Sequence, residues 1–227
     1  MTIKTSYTSP LLNFFICVGA LTLVVMLKVE LPLLLGMNPE WEQKILPYRW
    51  LLHLHAFLGS VALFSAPIQF FPQFRHRHLQ LHRRLGRTYA LSILVAAPIG
   101  IYIALAHLGN NEKWAAAAQG LLWLSTTLMA IYAAINKQVL SHQVWITRSY
   151  ALTLTFVISR FILDVLRIKI GPEYGGNGSL IWVSTLLAIT IADVFYVAAP
   201  RFNTHTNYYA EIKKDGRNTS ANPSFIN

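Results

Sequence analysis

Long apolar runs alternate with short polar segments along the chain. Six runs of about 20 residues contain few charged side chains, and a helix of that length crosses a hydrocarbon layer roughly 30 Å thick. The pattern predicts an all-α integral membrane protein, with one six-helix domain over residues 1–200 and a polar cytoplasmic tail over 201–227. The predicted helices cover about residues 11–27, 50–71, 86–107, 114–135, 147–166 and 180–199.

The first apolar run is followed by Lys28 and Pro32 rather than by a cleavage site of small residues. We expect it to be a retained helix, and a cleaved signal peptide is the alternative.

Composition supports a membrane class. Hydrophobic residues make up 54% of the 227 positions and charged residues 12%, about half the charged share of a soluble domain. The single cysteine, Cys17, lies in the first apolar run, which excludes an internal disulfide and a cysteine-based zinc or iron–sulfur site.

A net charge of +10 would suggest nucleic-acid binding in a soluble protein. Here the positions of the charges, in the loops, indicate membrane topology instead. One set of loops (1–10, 73–87, 136–148 and 200–227) holds 12 Lys and Arg residues, and the opposite set holds 6. Because positive charge favours the cytoplasmic side, we expect both termini in the cytoplasm and the protein in the plasma (inner) membrane. Anionic lipid, and no nucleic acid, is the expected partner of the 75–87 loop.

Most histidines are predicted to lie at the two edges of the membrane. His55 and His107 are expected at the outer edge, and His82 and His142 at the inner edge. Helical b-type cytochromes place imidazoles in this way, so that neighbouring helices supply both axial ligands of a haem. Unligated interfacial histidines are the simpler alternative for each position.

Three charged residues are predicted to lie inside the bilayer. Arg160 and Asp164 are one turn apart in the fifth helix, and Asp193 lies in the sixth with no obvious partner. A charge at such depth is costly and normally marks a site or a cavity. An Arg160–Asp164 pair that only stabilises its helix is an equal alternative.

Two segments resemble a family of multi-spanning, mainly bacterial membrane proteins known only as a domain of unknown function. The first runs from His55-Ala-Phe-Leu-Gly through Ala66-Pro-Ile-Gln-Phe to His82-Arg-Arg-Leu-Gly-Arg-Thr-Tyr. The second is His142-Gln-Val-Trp-Ile-Thr-Arg-Ser-Tyr-Ala-Leu-Thr, with Arg160 beyond it. The resemblance covers about residues 50–165, and it points to His55, His82, His142, Arg148 and Arg160 without implying an activity.

The helical plan is also similar to that of cytochrome b561-like and ferric-reductase-like bundles, at the level of architecture only. The first hypothesis is therefore a membrane protein that binds haem b and exchanges electrons with a quinol or a redox partner. His82 and His142 are the expected iron ligands of one haem, and His55 with His107 those of another. Arg87 and Arg148 are candidates for holding the haem propionates, because guanidinium groups bind carboxylates through two hydrogen bonds.

Two other classes stay open. A transporter, channel or small-molecule sensor would use Arg160, Asp164 and Asp193 to line a cavity. An accessory membrane subunit would need no chemistry of its own. Soluble-enzyme motifs for nucleotide binding or metal-assisted hydrolysis do not occur in the sequence, which disfavours nucleotide-driven transport.

Overall fold

The computed structural model describes residues 8–37, 43–168, 170–171, 174 and 176–198. The described part is helical and contains no strand. Its six long helices are α1 (Thr8–Val25), α2 (Arg49–Ser65), α3 (Leu79–His107), α4 (Asn110–Ile135), α5 (Val139–Arg160) and α6 (Gly176–Ala198). Six spans are long and apolar enough to cross a membrane, which confirms the predicted class. The predicted tail over 201–227 lies outside the described residues.

Shorter turns extend these helices. A π-helical turn (Met26–Glu30) and a helical turn (Leu31–Leu34) continue α1, and a second π-helical turn (Phe161–Val165) continues α5. Helical residues 43–45 and a 3₁₀ turn (Leu46–Tyr48) precede α2, whereas a 3₁₀ turn (Pro67–Phe70) and a short helix (Pro72–Arg77) follow it.

Two helices begin well before their predicted starts. α3 begins at Leu79 rather than near residue 86, and α5 begins at Val139 rather than near residue 147. The added turns contain Leu, Gln and, in α3, Arg, which form helices readily, while their polar residues lower the local hydropathy. A prediction from apolar length locates the hydrocarbon-spanning part of a helix and misses turns that continue into the headgroup region.

Smaller corrections affect three other helices. The α-helical part of α2 ends at Ser65 rather than near residue 71, because Pro67 has no N–H to continue the ladder. α4 begins at Asn110 and α6 at Gly176, each four residues early, so that the glycine-rich stretch 176–178 is helical.

Close contact between the first turns of α4 and α6 explains why the glycine stretch becomes helical. The Asn177 side-chain amide donates a hydrogen bond of 3.0 Å to Glu112 Oε1. No side chain fits at Gly178, since the backbone of Asn111 occupies that space. The glycine allows the two helices to touch at this point.

The helices pack in chain order, with α2 on α3, α3 on α4, α4 on α5 and α5 on α6, and α4 also contacts α6. Short connections make sequential neighbours antiparallel. α1 lies against α5 and the turn that follows it. Four of the five largest fully buried side chains, Trp123, Tyr89, Ile93 and Leu152, belong to α3, α4 and α5, so these three helices form the centre of the bundle.

Candidate functional site

The bundle has two ends with different polar residues. α3 and α5 begin at one end, which we call the His82 end. α2, α4 and α6 begin at the other, which we call the Arg160 end because α5 finishes there at Arg160.

A buried hydroxyl cluster fixes α3 against α5. The Tyr89 and Ser149 hydroxyls share a hydrogen bond of 2.8 Å, and the Tyr89 hydroxyl lies 3.3 Å from Thr153 Oγ1. All three residues are buried. Because a polar group in apolar surroundings must find a partner, this contact sets which turns of the two helices face each other.

α4 joins the same cluster. The Trp123 indole N–H donates to Thr153 Oγ1 over 2.9 Å, and the Thr127 hydroxyl shares a hydrogen bond of 2.8 Å with Ser149 Oγ. Further toward the Arg160 end, the Gln119 side-chain amide donates to Thr155 Oγ1. The three central helices are therefore held in one register by side-chain hydrogen bonds.

This register places His82 at the same depth as His142. His82 precedes Tyr89 by seven residues and His142 precedes Ser149 by seven, which is nearly two helical turns in each case. Both helices begin at the same end, so the two histidines lie at one depth, about 10 Å from the cluster and on the faces that meet. Their side chains are within electrostatic range of each other.

The two imidazoles have different hydrogen bonds. His142 Nδ1 donates to the Ala130 carbonyl oxygen over 2.9 Å. A carbonyl can only accept, which leaves Nε2 of the neutral ring with a free lone pair. His82 Nδ1 is buried and has no hydrogen-bond partner among the described residues.

Arginines surround the histidine pair. Arg75 and Arg83 are within electrostatic range of His82, and Arg87 is exposed one turn further along α3. His76 and His78 lie on the connection before α3, where His76 belongs to the helix Pro72–Arg77.

The small residues of α3 face α2. A Cβ atom added at Gly86 would lie 3.3 Å from Gln69 Oε1, and one added at Gly100 would lie 2.8 Å from the His55 ring. α2 and the 3₁₀ turn that follows it therefore occupy the space beside these two glycines.

Arg148 and Asp193 form an ion pair between α5 and α6. Arg148 Nε donates to Asp193 Oδ1 over 2.7 Å, and the guanidinium also stacks on the Trp145 ring at 4.6 Å. Asp193 thus has the partner that the sequence could not supply. It belongs to a different level of the bundle from Arg160, which lies 12 residues, or about 18 Å, further along α5.

Arg160 binds two carboxylates at its own end. Its Nη1 donates to Asp164 Oδ2 over 3.0 Å, and its Nε lies 4.0 Å from Glu30 Oε1. Glu30 and Asp164 both lie in π-helical turns, and these two turns contact each other. Turns of this type are frequent at functional sites. The predicted Arg160–Asp164 pair is therefore part of a larger charged group.

His55 reaches the edge of this charged group. Its Nδ1 donates to the Ala96 carbonyl oxygen over 2.9 Å, and its ring packs edge-on against Phe156 at 5.7 Å. Glu30 and Arg160 are both within electrostatic range of it. His55 thus connects α2 with α3 and with the Arg160 end.

His107 has other neighbours. Its ring stacks on Tyr48 at 4.3 Å, and it lies seven residues, about 10 Å, beyond the Gly100 position that His55 touches. The structure does not bring His55 and His107 together.

Sequence reasoning missed the hydroxyl cluster and Glu30. Ser149 and Thr153 are spaced i,i+4 on one helix face, a signal for a polar stripe that was available in the sequence. Glu30 follows the first apolar run, where no local pattern in the sequence predicts the π-helical turn that contains it.

A family model described as "Predicted membrane protein (DUF2306)" matches residues 52–197, well over half of the chain. The chain belongs to this family. Nothing among the curated proteins or the solved structures matches the chain.

The part matched by the DUF2306 model contains all four candidate histidines and the charged residues of α5 and α6. His82, His142, Arg148 and Arg160 all fall within it, whereas Glu30 and α1 precede it. The predicted membership of an uncharacterised membrane family is confirmed. The similarity to cytochrome b561-like bundles stays a prediction.

Substituting Tyr89 by Phe tests the hydroxyl cluster of this DUF2306 protein. Removal of the Tyr89 hydroxyl leaves Ser149 and Thr153 without an interhelical partner on α3, so we expect a loss of about 1 kcal/mol in stability. Thermal unfolding in detergent measures the effect. Tyr102→Phe is the control, since Tyr102 is 55% exposed. Equal melting temperatures for the two variants would contradict the assigned role.

Proposed function

We propose that this protein is a membrane-embedded b-type haem protein that binds one haem b at the His82 end, with His82 and His142 as axial ligands. The observation that carries the proposal is the shared register: the hydrogen bond between Tyr89 and Ser149 puts the two imidazoles at one depth, within electrostatic range of each other. Ligation of one haem from neighbouring helices requires that arrangement.

The donor set favours haem over a bare metal ion. Structural zinc sites have four protein ligands and catalytic zinc sites three. No group of three or more His, Cys, Asp or Glu side chains could hold a metal ion in the parts of the chain that are described. A haem brings four equatorial nitrogens, so two histidines suffice.

The hydrogen bonds of both histidines fit this role. The Ala130 carbonyl keeps the proton of His142 on Nδ1 and thereby orients Nε2 as a ligand atom. His82 Nδ1 has no hydrogen-bond partner among the described residues, so no hydrogen bond from it fixes the orientation of this ring. A bound haem would fix it. When bound, haem supplies a one-electron carrier.

Arginines at this end fit the haem propionates. Arg83 and Arg87 are exposed near His82 and available for carboxylates, whereas Arg148 is already paired with Asp193. A second haem between His55 and His107 does not fit, because the two residues have different neighbours. The proposal is therefore limited to one haem.

A quinol or a redox partner protein is the proposed source or acceptor of electrons. The arginines of residues 75–87 are proposed to contact anionic lipid. By the excess of Lys and Arg, the His82 end faces the cytoplasm of an inner membrane, with both termini inside.

A second candidate function rests on the Arg160 end. Arg160, Glu30 and Asp164 form a charged group within apolar helices, with His55 in electrostatic range. Such a group is typical of transporters, channels or sensors whose activity depends on protonation. Asp193 has no part in this candidate, since it pairs with Arg148.

The orientation can be tested with reporters fused after Asn227. We expect a fluorescent protein that folds only in the cytoplasm to be bright, because the basic loops share the side of the C-terminus. Alkaline phosphatase, which needs an oxidising compartment, should be inactive at the same position. An active phosphatase would reverse the orientation.

The haem proposal predicts a b-type band in the reduced-minus-oxidised spectrum of protein purified from cells with ample haem. His82→Ala and His142→Ala should each lose the same spectral component, because either change removes an axial ligand. Added imidazole should restore part of the band, which a merely structural role of the histidine would not allow.

His76→Ala and His78→Ala are the matched controls for the haem test, because both residues lie on the connection before α3 and outside the proposed ligand pair. They should keep the full band. Lack of haem in the wild-type protein, or a band that survives both ligand substitutions, overturns the haem proposal.

The second candidate predicts that proteoliposomes containing the protein dissipate a pH gradient faster than empty liposomes. Trapped pyranine reports the internal pH. Arg160→Gln should abolish the difference, because it leaves Glu30 and Asp164 without their shared cation. Arg167→Gln, an exposed arginine of the same end, is the control. Unchanged flux in the Arg160 variant counts against this function.

A further inference from the structure

A cavity lies between α1, α2 and α5. Its volume is about 240 Å³, and its wall includes Phe15, Gly19, Thr22, Leu63, Phe64 and Tyr150. Nothing lies within 4 Å of a Cβ atom built at Gly19, so α1 leaves open space at that position. The cavity is separate from both the histidine pair and the Arg160 group.

Two residues of the cavity wall carry a hydroxyl, Thr22 and Tyr150, and the Thr22 hydroxyl already donates a hydrogen bond to the Val18 carbonyl oxygen. Tyr150 is only 4% exposed, and its hydroxyl is buried without a hydrogen-bond partner among the described residues. An unsatisfied buried hydroxyl costs roughly 1–3 kcal/mol. A ligand that accepts a hydrogen bond would remove this cost.

Aromatic rings form one side of the cavity region. The Tyr150 ring lies 5.4 Å from Phe70 and 6.1 Å from Phe15, measured between centroids, and Phe15 lies 5.7 Å from Phe70. Offset and tilted contacts of this kind suit a planar ring.

The cavity can be entered from the bilayer. Phe64 and Ile68 contribute to its wall and are 56% and 44% exposed on the outside of the bundle. In a membrane protein that surface faces hydrocarbon. A ligand dissolved in the lipid phase therefore has direct access, and an apolar tail can stay between the lipid chains.

We propose that this cavity binds a lipid-soluble carbonyl compound, a quinone or an aromatic ketone, whose carbonyl oxygen accepts a hydrogen bond from Tyr150. The volume fits a substituted ring, since a cavity of about 150 Å³ in another protein admits benzene. The proposal deepens the proposed electron-transfer function, for which a quinone is the expected reactant. Binding is measured without reference to haem, so either proposal can fail alone.

The test uses the purified full chain in a maltoside detergent. It measures how much a decyl-substituted benzoquinone raises the melting temperature. A ligand that binds only the folded state raises the melting temperature with its concentration. Decylbenzene, which has the same tail and no carbonyl, should stabilise much less. Tyr150→Phe should weaken the apparent affinity for the quinone by about 2- to 12-fold, the value of one neutral hydrogen bond.

Gly19→Leu should abolish the stabilisation, because Gly19 belongs to the cavity wall and a Cβ atom there starts in open space, so the larger side chain takes up cavity volume. Gly59→Leu is its matched control, as a Cβ at Gly59 also meets nothing within 4 Å. Tyr102→Phe is the control for Tyr150→Phe, since Tyr102 is 55% exposed and lies outside the cavity wall. The Tyr150 variant should unfold no earlier than the wild type, since the lost hydroxyl has no partner among the described residues.

Three results overturn the proposal. Equal stabilisation by decylbenzene would make the cavity a slot for any apolar chain. Unchanged quinone affinity in Tyr150→Phe or Gly19→Leu would place binding elsewhere. If ester-linked phospholipid competes with the quinone and ether-linked phospholipid does not, the occupant is a lipid ester.

Discussion

The hydrogen bond between Tyr89 and Ser149 determines which turns of α3 and α5 lie at the same level of the bundle. Apolar side chains pack as well against lipid as against each other, so they cannot alone select one register. Buried hydroxyls can, because each must find a partner. With Thr127, Trp123 and Thr153 in the same group, the choice extends over three helices.

From this contact, polar side chains extend toward both ends of the bundle. Two turns in one direction lead to the pair His82 and His142, and three turns of α5 beyond Arg148 lead to Arg160. The ends differ in chemistry: one combines two imidazoles with exposed arginines, the other a cation with two carboxylates.

Much of the fold could be predicted because apolar length is a local property. The six spans, the membrane class and the family follow from it and from short motifs. The starts of α3 and α5 could not be predicted, since polar turns such as Leu79–Leu85 are helical for reasons of propensity and interface hydration. Partners across helices, such as Asp193 for Arg148, were also beyond reach, because periodicity shows which residues share a face and not which face lies opposite.

The two π-helical turns carry a consequence for how this chain tolerates change. A π-helical turn holds about one residue more than the α-helical turn that it replaces, so it rotates the residues after it by about 100° around the helix axis. Loss of one residue from Met26–Glu30 would turn Glu30 away from Arg160 without altering either side chain. The charged group is thus encoded by the residue count of α1 and α5, and length variation there acts as a substitution would.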